Sequence, residues 1–572
     1  MNMHVSSSPS VGRKKVIFAS SLGTAFEWYD FHLYGNLAPI IAKHYFSGVN
    51  DAAAFVFALL TFAAGFAARP FGSILFGALG DRFGRKYVFT ATIVLMALPT
   101  LFVGLLPGYE TLGIAAPIIL ICLRVLQGLA SGGEYGGALI FVAEHAHRNT
   151  RGIDTSWINA MGAIGVVLAL VAILIVRSTA GERAFVEWAW RIPFIASIGL
   201  FAVSVWIRMH LHESPVFAEM KAAGKTSKHP IRDAFGEWKQ SRTAILLVGG
   251  GTAALGVMAY TSQFYSQFFL LRTVKVDAIT VNTITMLALM LSLPFYTLFG
   301  WLSDRVGRKP VILGAAVVAA LTIQPVFRAM THYGNPALDA AQVTAPVTVH
   351  SDEANCSVQF NPVSTSHFTS SCDIVKSYLA AHMTSYTNKP ILEGSTTYVT
   401  VGTVKVESFE GGALSRDAFA SREKAFQQRL ATALERAGYP TGTHVDAASK
   451  AILVGLMAFL MVLYAAIYSP IGAWMTELFP SRIRYTAISL PYNLGAGWFG
   501  GFMPATAFAM VAANGNIYFG LWYPIVVLAV SVVIGSIFLP ETSGKQFVDD
   551  DSAGQQDVKP IRTVNSFSSE LE

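Results

Sequence analysis

The chain has 572 residues, of which 53% are hydrophobic and only 13% are charged, whereas an ordinary soluble domain carries about 25% charged residues. Apolar stretches of about 20 residues, the length that crosses a bilayer as a helix, recur roughly twelve times, which excludes a water-soluble globular protein. The net charge of +6 comes from Lys and Arg clusters between these stretches, and this distribution favours membrane topology over nucleic-acid binding.

The apolar stretches predict two sets of six transmembrane helices. Basic residues precede the first stretch as in a signal peptide, but the stretch continues past Glu27 and Asp30, so we expect a retained helix. The first set covers residues 16–41, 53–78, 88–107, 113–141, 154–177 and 188–210. The second set covers residues 243–271, 279–302, 310–330, 451–475, 484–512 and 517–540.

Lys and Arg are concentrated in alternate loops between these helices. The positive-inside rule therefore predicts a multi-pass protein of a bacterial inner membrane with both termini in the cytoplasm. The predicted parts are a cytoplasmic segment 1–15, an N-terminal bundle 16–210, a cytoplasmic loop 211–242, a C-terminal bundle 243–330 and 451–540, a periplasmic insertion 331–450 and a short cytoplasmic tail 541–572.

An internal repeat relates the two bundles. Residues 77–86 follow the second helix and residues 300–309 follow the eighth, and both read Gly-x-x-x-Asp-Arg-x-Gly-Arg-Lys. After the fourth and tenth helices a Glu is followed by an Arg at the same spacing. The distance along the chain between corresponding positions of the two bundles is about 110 residues longer for this Glu and Arg pair than for the loop motif. The repeat is therefore interrupted between the ninth and tenth helices.

The interruption predicts a small soluble α+β domain. Residues 343–350 and 397–409 alternate like strands, and residues 371–382 and 415–437 read as helices. Cys356 and Cys372 lie here and could form a disulfide in an oxidising compartment, with two unpaired thiols as the alternative. The His residues are too scattered to predict a metal site.

The loop pattern at 77–86 and 300–309 resembles the loop motif of the major facilitator superfamily, and residues 124–128 resemble its fourth-helix motif. Further segments are similar to the metabolite:proton symporter family, namely 26–31, 69–72, 132–137 and 477–485. The resemblance implies two six-helix bundles that rock around a central site and take up citrate, 2-oxoglutarate, shikimate, proline or betaine together with protons.

The resemblance also implies a transporter without enzymatic activity, with the proton as coupling ion and no other cofactor, active as a monomer and without a nucleic-acid partner. A small organic acid is the first expectation for the substrate. The alternatives are a zwitterionic osmolyte such as proline or betaine, and a membrane sensor in which the insertion reads a ligand. The insertion departs from the family pattern, and the tail lacks the sustained heptads of osmosensing members.

Charged residues inside the apolar helices are candidates for proton coupling, because charges in lipid are costly and usually functional. We expect Glu27, Arg69 and Glu134 to form a cluster with Asp30 nearby. Burial favours the neutral form of a carboxyl group and a neighbouring Arg favours the charged form, so closure of the site could switch protonation. The alternative is a static ion pair that fixes three helices.

The predicted substrate site lies between the bundles. Arg124 is expected to meet an anionic group, since guanidinium binds carboxylate through two hydrogen bonds. Polar and aromatic residues near mid-helix could complete the site, although a single one of them could equally be an interfacial anchor or join two helices. These residues are Tyr29, Tyr34, Asn159, Tyr260, Gln263, Gln267, Tyr464, Tyr468, Tyr492 and Asn493.

The repeated loops predict a cytoplasmic gate. The resemblance implies a charge network that holds the inner face closed, and bare positive-inside anchoring is the alternative, although anchoring does not explain the acidic members. The gate residues are Asp81, Arg82, Arg85, Glu144 and Arg151 with Asp304, Arg305, Arg308, Glu477 and Arg484.

Overall fold

The computed structural model describes residues 13–47, 51–210, 213–352, 356–357, 368–392 and 394–544. Within these ranges, six long helices form an N-terminal bundle: α1 (Arg13–Tyr45), α2 (Asp51–Phe83), α3 (Arg85–Leu105), α4 (Ala115–His145), α5 (Arg151–Ala180) and α6 (Ala189–Met209). Six more form a C-terminal bundle: α7 (Trp238–Thr273), α8 (Ala278–Val306), α9 (Arg308–Gly334), α10 (Ala447–Leu478), α11 (Arg484–Asn514) and α12 (Phe519–Phe538).

Ten of these helices, α3 to α12, are long and apolar enough to cross a membrane. The predicted order of helices is confirmed, and the count of twelve membrane spans is confirmed for ten of them. The helices α1 and α2 have 33 residues each, which is more than the roughly 20 that a bilayer requires. Both carry charged residues near their middles, and their crossing of the membrane stays a prediction.

Short helices connect the long ones, at Tyr109–Leu112, Glu182–Glu187, Pro215–Ala222, Pro230–Phe235 and Pro336–Thr344. The two bundles contact each other through matched pairs of helices, since α2 packs against α11 and α5 packs against α8. The helices α4 and α10 also contribute, with α4 against α11 and α10 against α5. This pairing agrees with the internal repeat, which relates α2 to α8 and α5 to α11.

Glycines set the close approach of α2 and α4. A Cβ added at Gly128 would lie 2.7 Å from the carbonyl carbon of Gly65, and one at Gly132 would collide with the backbone of Arg69. Larger residues at these positions would therefore push the helices apart. The close approach brings the side chain of Arg69 on α2 beside Ser131 on α4, where a pocket forms.

The insertion between α9 and α10 is a small α+β domain, which confirms the predicted fold class. Its sheet has strands β1 (Val347–Ser351), β2 (Tyr386–Pro390), β3 (Tyr398–Val401) and β4 (Val404–Glu407) in the order β2-β1-β3-β4. The strands β1 and β2 are parallel, and the other pairs are antiparallel. Helices Ser371–Ala381 and Arg416–Arg436 contribute to one apolar core with the sheet.

The insertion is attached to the C-terminal bundle by hydrogen bonds. The backbone N–H of Tyr386 donates to the carbonyl oxygen of Gly515 at 2.9 Å, and Nζ of Lys275 donates to the carbonyl oxygen of Pro440 at 3.0 Å. The backbone N–H of Thr443 also donates to the carbonyl oxygen of Lys275 at 3.3 Å. These contacts involve the loop between α7 and α8 and the residues that follow α11.

Cys356 and Cys372 form a disulfide, with their Cα atoms 5.4 Å apart. We expect Cys372→Ala to lower the free energy of unfolding of the insertion by about 3 kcal/mol, because the bridge closes a short loop of the unfolded chain. Proteolysis of the full-length protein at rising temperature measures this loss. Cys122→Ala, which removes the free cysteine of α4, is the matched control. Equal resistance of the two variants would contradict the stabilising role.

Candidate functional site

A narrow pocket lies inside the N-terminal bundle, among four helices. Acidic residues come from α1 and basic residues come from α2 and α4, while aromatic rings of α1 and α2 form part of the wall. The lining residues are Glu27, Asp30, Phe31, Gly65, Phe66, Arg69, Met96, Arg124, Gln127, Gly128 and Ser131. The pocket therefore combines both signs of charge with apolar surface, and in this closed conformation its free volume of about 30 Å³ holds little more than a water molecule.

One ion pair in the pocket joins α1 to α2. Nη2 of Arg69 lies 3.2 Å from Oε1 of Glu27, and Oγ of Ser131 donates a short hydrogen bond to the same oxygen. The guanidinium of Arg69 also lies 4.8 Å from the centre of the Phe66 ring. Since Glu27 is only 7% exposed, its charge depends on these two donors.

A second ion pair joins α1 to α4. Nη1 of Arg124 donates to Oδ2 of Asp30 at 3.1 Å, and its guanidinium lies 3.8 Å from the centre of the Tyr34 ring. Among the described residues, Nε and Nη2 of Arg124 and Oδ1 of Asp30 have no hydrogen-bond partner. Both side chains are about 5% exposed. Buried polar atoms without partners are costly, so this pair offers two donors and one acceptor to a ligand.

Glu134 has a different partner from the one predicted. Nη1 of Arg208, on α6, donates to Oε2 of Glu134 at 3.1 Å, and Nη2 of Arg208 forms a short hydrogen bond with Oε1. Thr92 donates to Oε2 at 2.8 Å. The predicted three-residue cluster is therefore two separate ion pairs, because Arg69 reaches Glu27 and Arg208 satisfies Glu134. Arg208 was not predicted from the sequence. It lies near the end of α6, where an Arg is expected simply as one of the positive charges that flank a membrane helix.

Several predicted substrate residues do not line this pocket. The hydroxyl of Tyr29 donates to the carbonyl oxygen of Pro193 at 2.8 Å, and that of Tyr34 donates to the carbonyl oxygen of Ala58 at 3.1 Å. Both hydrogen bonds stay inside the N-terminal bundle. The prediction that Tyr29 and Tyr34 face the substrate directly is therefore not supported, and Tyr34 instead lies against Arg124.

Other predicted substrate residues lie where the two bundles meet. The Tyr492 ring stacks on Tyr135 with centroids 4.0 Å apart, and the hydroxyls of Tyr468 and Tyr492 are 3.3 Å apart. Nδ2 of Asn159 donates to the carbonyl oxygen of Tyr468 at 2.8 Å, and Nδ2 of Asn493 donates to that of Gly132 at 3.0 Å. Except for the contact between Tyr468 and Tyr492, which lies within the C-terminal bundle, these contacts join the bundles in this conformation. Tyr135 was not predicted.

The remaining candidates lie on α7 and α10. The Tyr260 ring is 5.9 Å from that of Phe66, so it approaches the pocket from the C-terminal bundle. Gln263 is buried, and its Oε1 has no hydrogen-bond partner among the described residues. Gln267 donates to Asn282 on α8 at 2.9 Å, and Tyr464 stacks on Tyr468. The structure therefore places Tyr260 nearest to the pocket within this group.

One end of the molecule carries basic loops at residues 84–86, 148–151, 307–309 and 480–484, and we call this end the basic face. Acidic residues hold the two bundles together there. Glu144 forms a short ion pair with Arg85 and accepts from Nη1 of Arg484 at 2.9 Å. Asp81 accepts hydrogen bonds from the backbone N–H groups of Tyr485 and Thr486, at 3.3 and 2.9 Å. Asp81 thus binds the first turn of α11, where free N–H groups and the helix dipole favour an anion.

The second half of the repeat builds the same arrangement. Glu477 accepts from Nη1 of Arg151 at 2.7 Å and from Nη2 of Arg308 at 3.4 Å. Asp304 accepts from the backbone N–H groups of Gly152 and Ile153, at 2.8 and 2.9 Å, in the first turn of α5. We call these two sets of residues the paired latches. The first set is residues 81, 85, 144 and 484, and the second set is residues 304, 308, 477 and 151.

Two predicted gate residues lie outside the paired latches. Arg82 and Arg305 are exposed, and each lies over an aromatic ring of its own helix, Phe83 and Trp301. Side chains at successive positions near a helix terminus point in different directions. Asp81 and Arg85 therefore turn inward while Arg82 turns outward. Arg82 and Arg305 therefore lie outside the gate network in this conformation.

Glu541 supports the second latch from outside the helices. Its carboxylate accepts from the backbone N–H groups of Arg308 and Lys309 at 3.0 and 2.9 Å, at the start of α9. Partial burial raises the pKa of this carboxyl, but the hydrogen bonds from backbone N–H groups outweigh that effect and hold the pKa below its usual value. Glu541 therefore caps α9 as an anion at neutral pH.

Comparisons with known proteins agree with this architecture. A family model described as sugar (and other) transporter matches residues 15–344 and 432–551, on both sides of the sheet domain. The proline/betaine transporter of Escherichia coli K12 is 35% identical over 324 residues, which are 54% of this chain and 63% of the relative. The glycine betaine/proline/ectoine/pipecolic acid transporter OusA of Dickeya dadantii is 34% identical over 324 residues, which are again 54% of this chain and 63% of the relative. The chain thus spans less than two thirds of these relatives.

Solved structures with the same fold are more distant in sequence. The major facilitator superfamily proton:xylose symporter XylE, bound to 6-bromo-6-deoxy-D-glucose, has a TM-score of 0.58 at 15% identity and covers 94% of this chain and 97% of its own. The partially occluded inward open form of XylE from E. coli has a TM-score of 0.55 at 15% identity, over 94% of this chain and 100% of its own. At this identity the likeness concerns the fold alone.

Proposed function

Because the chain belongs to the sugar (and other) transporter family and has the fold of the major facilitator superfamily, we propose that it is a proton-coupled symporter for a small solute that carries a carboxylate. The match confirms the resemblance predicted from the repeated loops. It makes the chain a multi-pass membrane protein of a transporter family. The proton coupling, the substrate and the sidedness of the loops are our proposals.

The observation that carries the proposal is the opposed charge in the pocket. Arg124 presents two unpartnered nitrogens and Asp30 presents one unpartnered oxygen within the same ion pair. A carboxylate of the substrate would bind Arg124 through two hydrogen bonds, and a cationic amine would approach the unpartnered oxygen of Asp30. A zwitterion therefore satisfies the pocket without an unbalanced charge.

A zwitterion becomes the first candidate in place of an organic acid. The relatives named for proline and betaine support this order. The organic acid stays as the second candidate, since protonation of Glu27 would release Arg69 to bind a second carboxylate. Competition for uptake distinguishes the two: proline and glycine betaine should compete if the substrate is a zwitterion, and citrate, 2-oxoglutarate and shikimate should compete if it is an organic acid.

Glu27 is the proposed proton carrier. Its ionised form is held by Arg69 and Ser131, and closure of the bundles changes how far this pair is shielded from water. A buried carboxylate that loses its cationic partner favours the neutral form. Proton binding is thereby tied to the conformation of the pocket, which is the requirement for coupled transport.

Membrane sidedness follows from the charge of the loops and the disulfide. We assign the basic face to the cytoplasm because Lys and Arg accumulate on that side of bacterial membrane proteins. The insertion leaves the opposite end of the C-terminal bundle, which is the periplasmic side in this assignment. A disulfide between Cys356 and Cys372 fits an oxidising compartment. The paired latches then close the cytoplasmic face by joining the two bundles.

Uptake into proteoliposomes tests the proposed function. The full-length protein is reconstituted and given a panel of labelled zwitterions and carboxylates, with and without an inward pH gradient. We expect one chemical class to accumulate only when the gradient is present. Binding of a solute without accumulation under any gradient would favour the alternative of a membrane sensor, and the same assay with residues 335–447 removed tests whether the insertion is required.

The paired latches predict a separation of rate from affinity. Asp81→Asn keeps the size of the side chain but weakens its bonds to Tyr485 and Thr486, so we expect uptake to slow by roughly tenfold, as for a charged hydrogen bond worth about 1–2 kcal/mol. The dissociation constant of the substrate should stay within about twofold. Arg82→Gln is the matched control at a neighbouring exposed position. Weaker binding at an unchanged rate would contradict the latch.

A further inference from the structure

A line of buried polar groups runs from the pocket toward the basic face inside the N-terminal bundle. On α1, Ser20 and Glu27 share one helix face, since they are seven positions apart. On α4, Ser131 and Glu134 are three positions apart on neighbouring faces, with Glu134 nearer the basic face. On α6, Ser204 and Arg208 are four positions apart and therefore share a face. All of these residues are buried.

The Glu134–Arg208 pair sits directly beside α1. A Cβ added at Gly23 would collide with Oε1 of Glu134 and would lie 2.8 Å from the guanidinium carbon of Arg208. Gly23 lies one helical turn below Glu27, and Glu27 and Glu134 are close enough to interact electrostatically. The Glu134–Arg208 pair therefore lies below the proton carrier, and neither residue lines the pocket.

Hydroxyl groups with no protein partner accompany this ion pair. The Oγ atoms of Ser20 and Ser204, and Nε of Arg208, have no hydrogen-bond partner among the described residues. Ser20 and Ser204 are both fully buried. Buried hydroxyls are normally satisfied by protein or by ordered water, and a polar site between helices is where an ordered water is stable.

We propose that this seam, defined as Ser131, Glu134, Arg208, Ser20 and Ser204, is the route by which the proton on Glu27 reaches the basic face. The route lies within the N-terminal bundle, between α1, α4 and α6. The inference rests on the proposed proton coupling of Glu27. It assigns to Glu134 and Arg208 the role of a relay rather than that of a substrate site.

The transfer is balanced at each step. The carboxyl group of Glu27 gives its proton to Oγ of Ser131, which is already hydrogen bonded to it, and Ser131 gives up its own proton through water to the carboxylate of Glu134. Glu134 then passes a proton to water held by the hydroxyls of Ser20 and Ser204, and this water releases one proton to solvent at the basic face. Ser20 lies about 10 Å below Glu27 along α1. Glu27 returns to its pair with Arg69 and Glu134 to its pair with Arg208.

The test combines Ser20→Ala and Ser204→Ala in one double variant of the full-length protein, which is reconstituted in proteoliposomes. Ser266→Ala is the matched control, because Ser266 is also fully buried but donates to the carbonyl oxygen of Ser262 in its own helix. We expect gradient-driven uptake in the double variant to fall about fivefold. Its solvent deuterium isotope effect should rise, since proton movement becomes limiting, while substrate counterflow stays at the wild-type rate.

Two results would overturn the route. Gradient-driven uptake and isotope effect equal to those of Ser266→Ala would show that the hydroxyls carry no proton. An equal loss of counterflow in the double variant would show a structural role instead. The wild-type protein shows whether the proton route or the proposed function is wrong. If the wild type accumulates substrate and the double variant accumulates it equally well, only the proton route is wrong. A wild type that ignores the gradient overturns both.

Discussion

Replacing Glu27 by Gln is expected to abolish substrate accumulation driven by a pH gradient while leaving counterflow exchange within about threefold of wild type. Gln has the same shape as a protonated Glu and can still accept from Ser131, so the pocket keeps its neutral form. It cannot release a proton, however, so no gradient can be coupled to the substrate. Uptake and counterflow in the same proteoliposomes measure the two properties side by side.

Glu182→Gln is the matched control for Glu27→Gln, because Glu182 forms an ion pair with Arg177 on the protein surface. It should accumulate substrate as the wild type does. Glu134→Gln should slow accumulation and also spare counterflow, since Glu134 lies outside the pocket lining. If Glu27→Gln and Glu134→Gln both still concentrate substrate against its gradient, the coupling role of these carboxylates is wrong.

Replacing Arg124 by Gln is expected to weaken substrate binding by at least about 100-fold. The change removes both unpartnered donors, and two hydrogen bonds from a charged group to a carboxylate are worth about 3–6 kcal/mol together. It also leaves Asp30 buried without its cation, which lowers the stability of the fold by about 3–5 kcal/mol. Arg124→Lys keeps the charge but cannot bind a carboxylate through two parallel hydrogen bonds, so we expect an intermediate loss. Calorimetric titration of purified protein measures the dissociation constants.

Asp30→Asn then distinguishes the two candidate substrates. A zwitterion loses the anionic partner of its amine, so its affinity should fall by about tenfold or more. An organic acid loses only a nearby negative charge, so its affinity should stay equal or improve. Thermal unfolding of each variant controls for a general loss of structure. Wild-type affinity in Arg124→Gln would contradict the role of this pocket in substrate binding.

The sequence alone predicted most of the architecture because its signals are local and repeated. The loops at 77–86 and 300–309 and the matched Glu and Arg residues located both bundles and the insertion between them. Strand β2 was missed, because its five residues are mostly exposed and polar. The alternating segment 397–409 became a hairpin, since Gly402 adopts a positive φ of 57° between β3 and β4.

The site was predicted in its residue types but only in part of its pairings, since Glu27 meets Arg69 as expected whereas Glu134 meets Arg208. The sequence places Glu27, Arg69 and Glu134 inside three apolar helices, but position along a helix says nothing about rotation around the helix axis. Arg208 comes from α6, whose position against α1 and α3 depends on packing of the whole bundle. Asp81 and Asp304 were predicted as gate residues and do lie beside Arg85 and Arg308. Each also accepts from backbone N–H groups of the opposite bundle, which carry no sequence signature.

The most direct test of the account is the concentration of substrate by an imposed pH gradient in proteoliposomes that contain only this protein. A labelled solute that bears a carboxylate should accumulate above its external concentration when the lumen is alkaline, and a protonophore should release it. The same solute should equilibrate without accumulating when the gradient is absent. Accumulation that persists with the protonophore, or its absence for every zwitterion and carboxylate tested, would contradict proton-coupled symport.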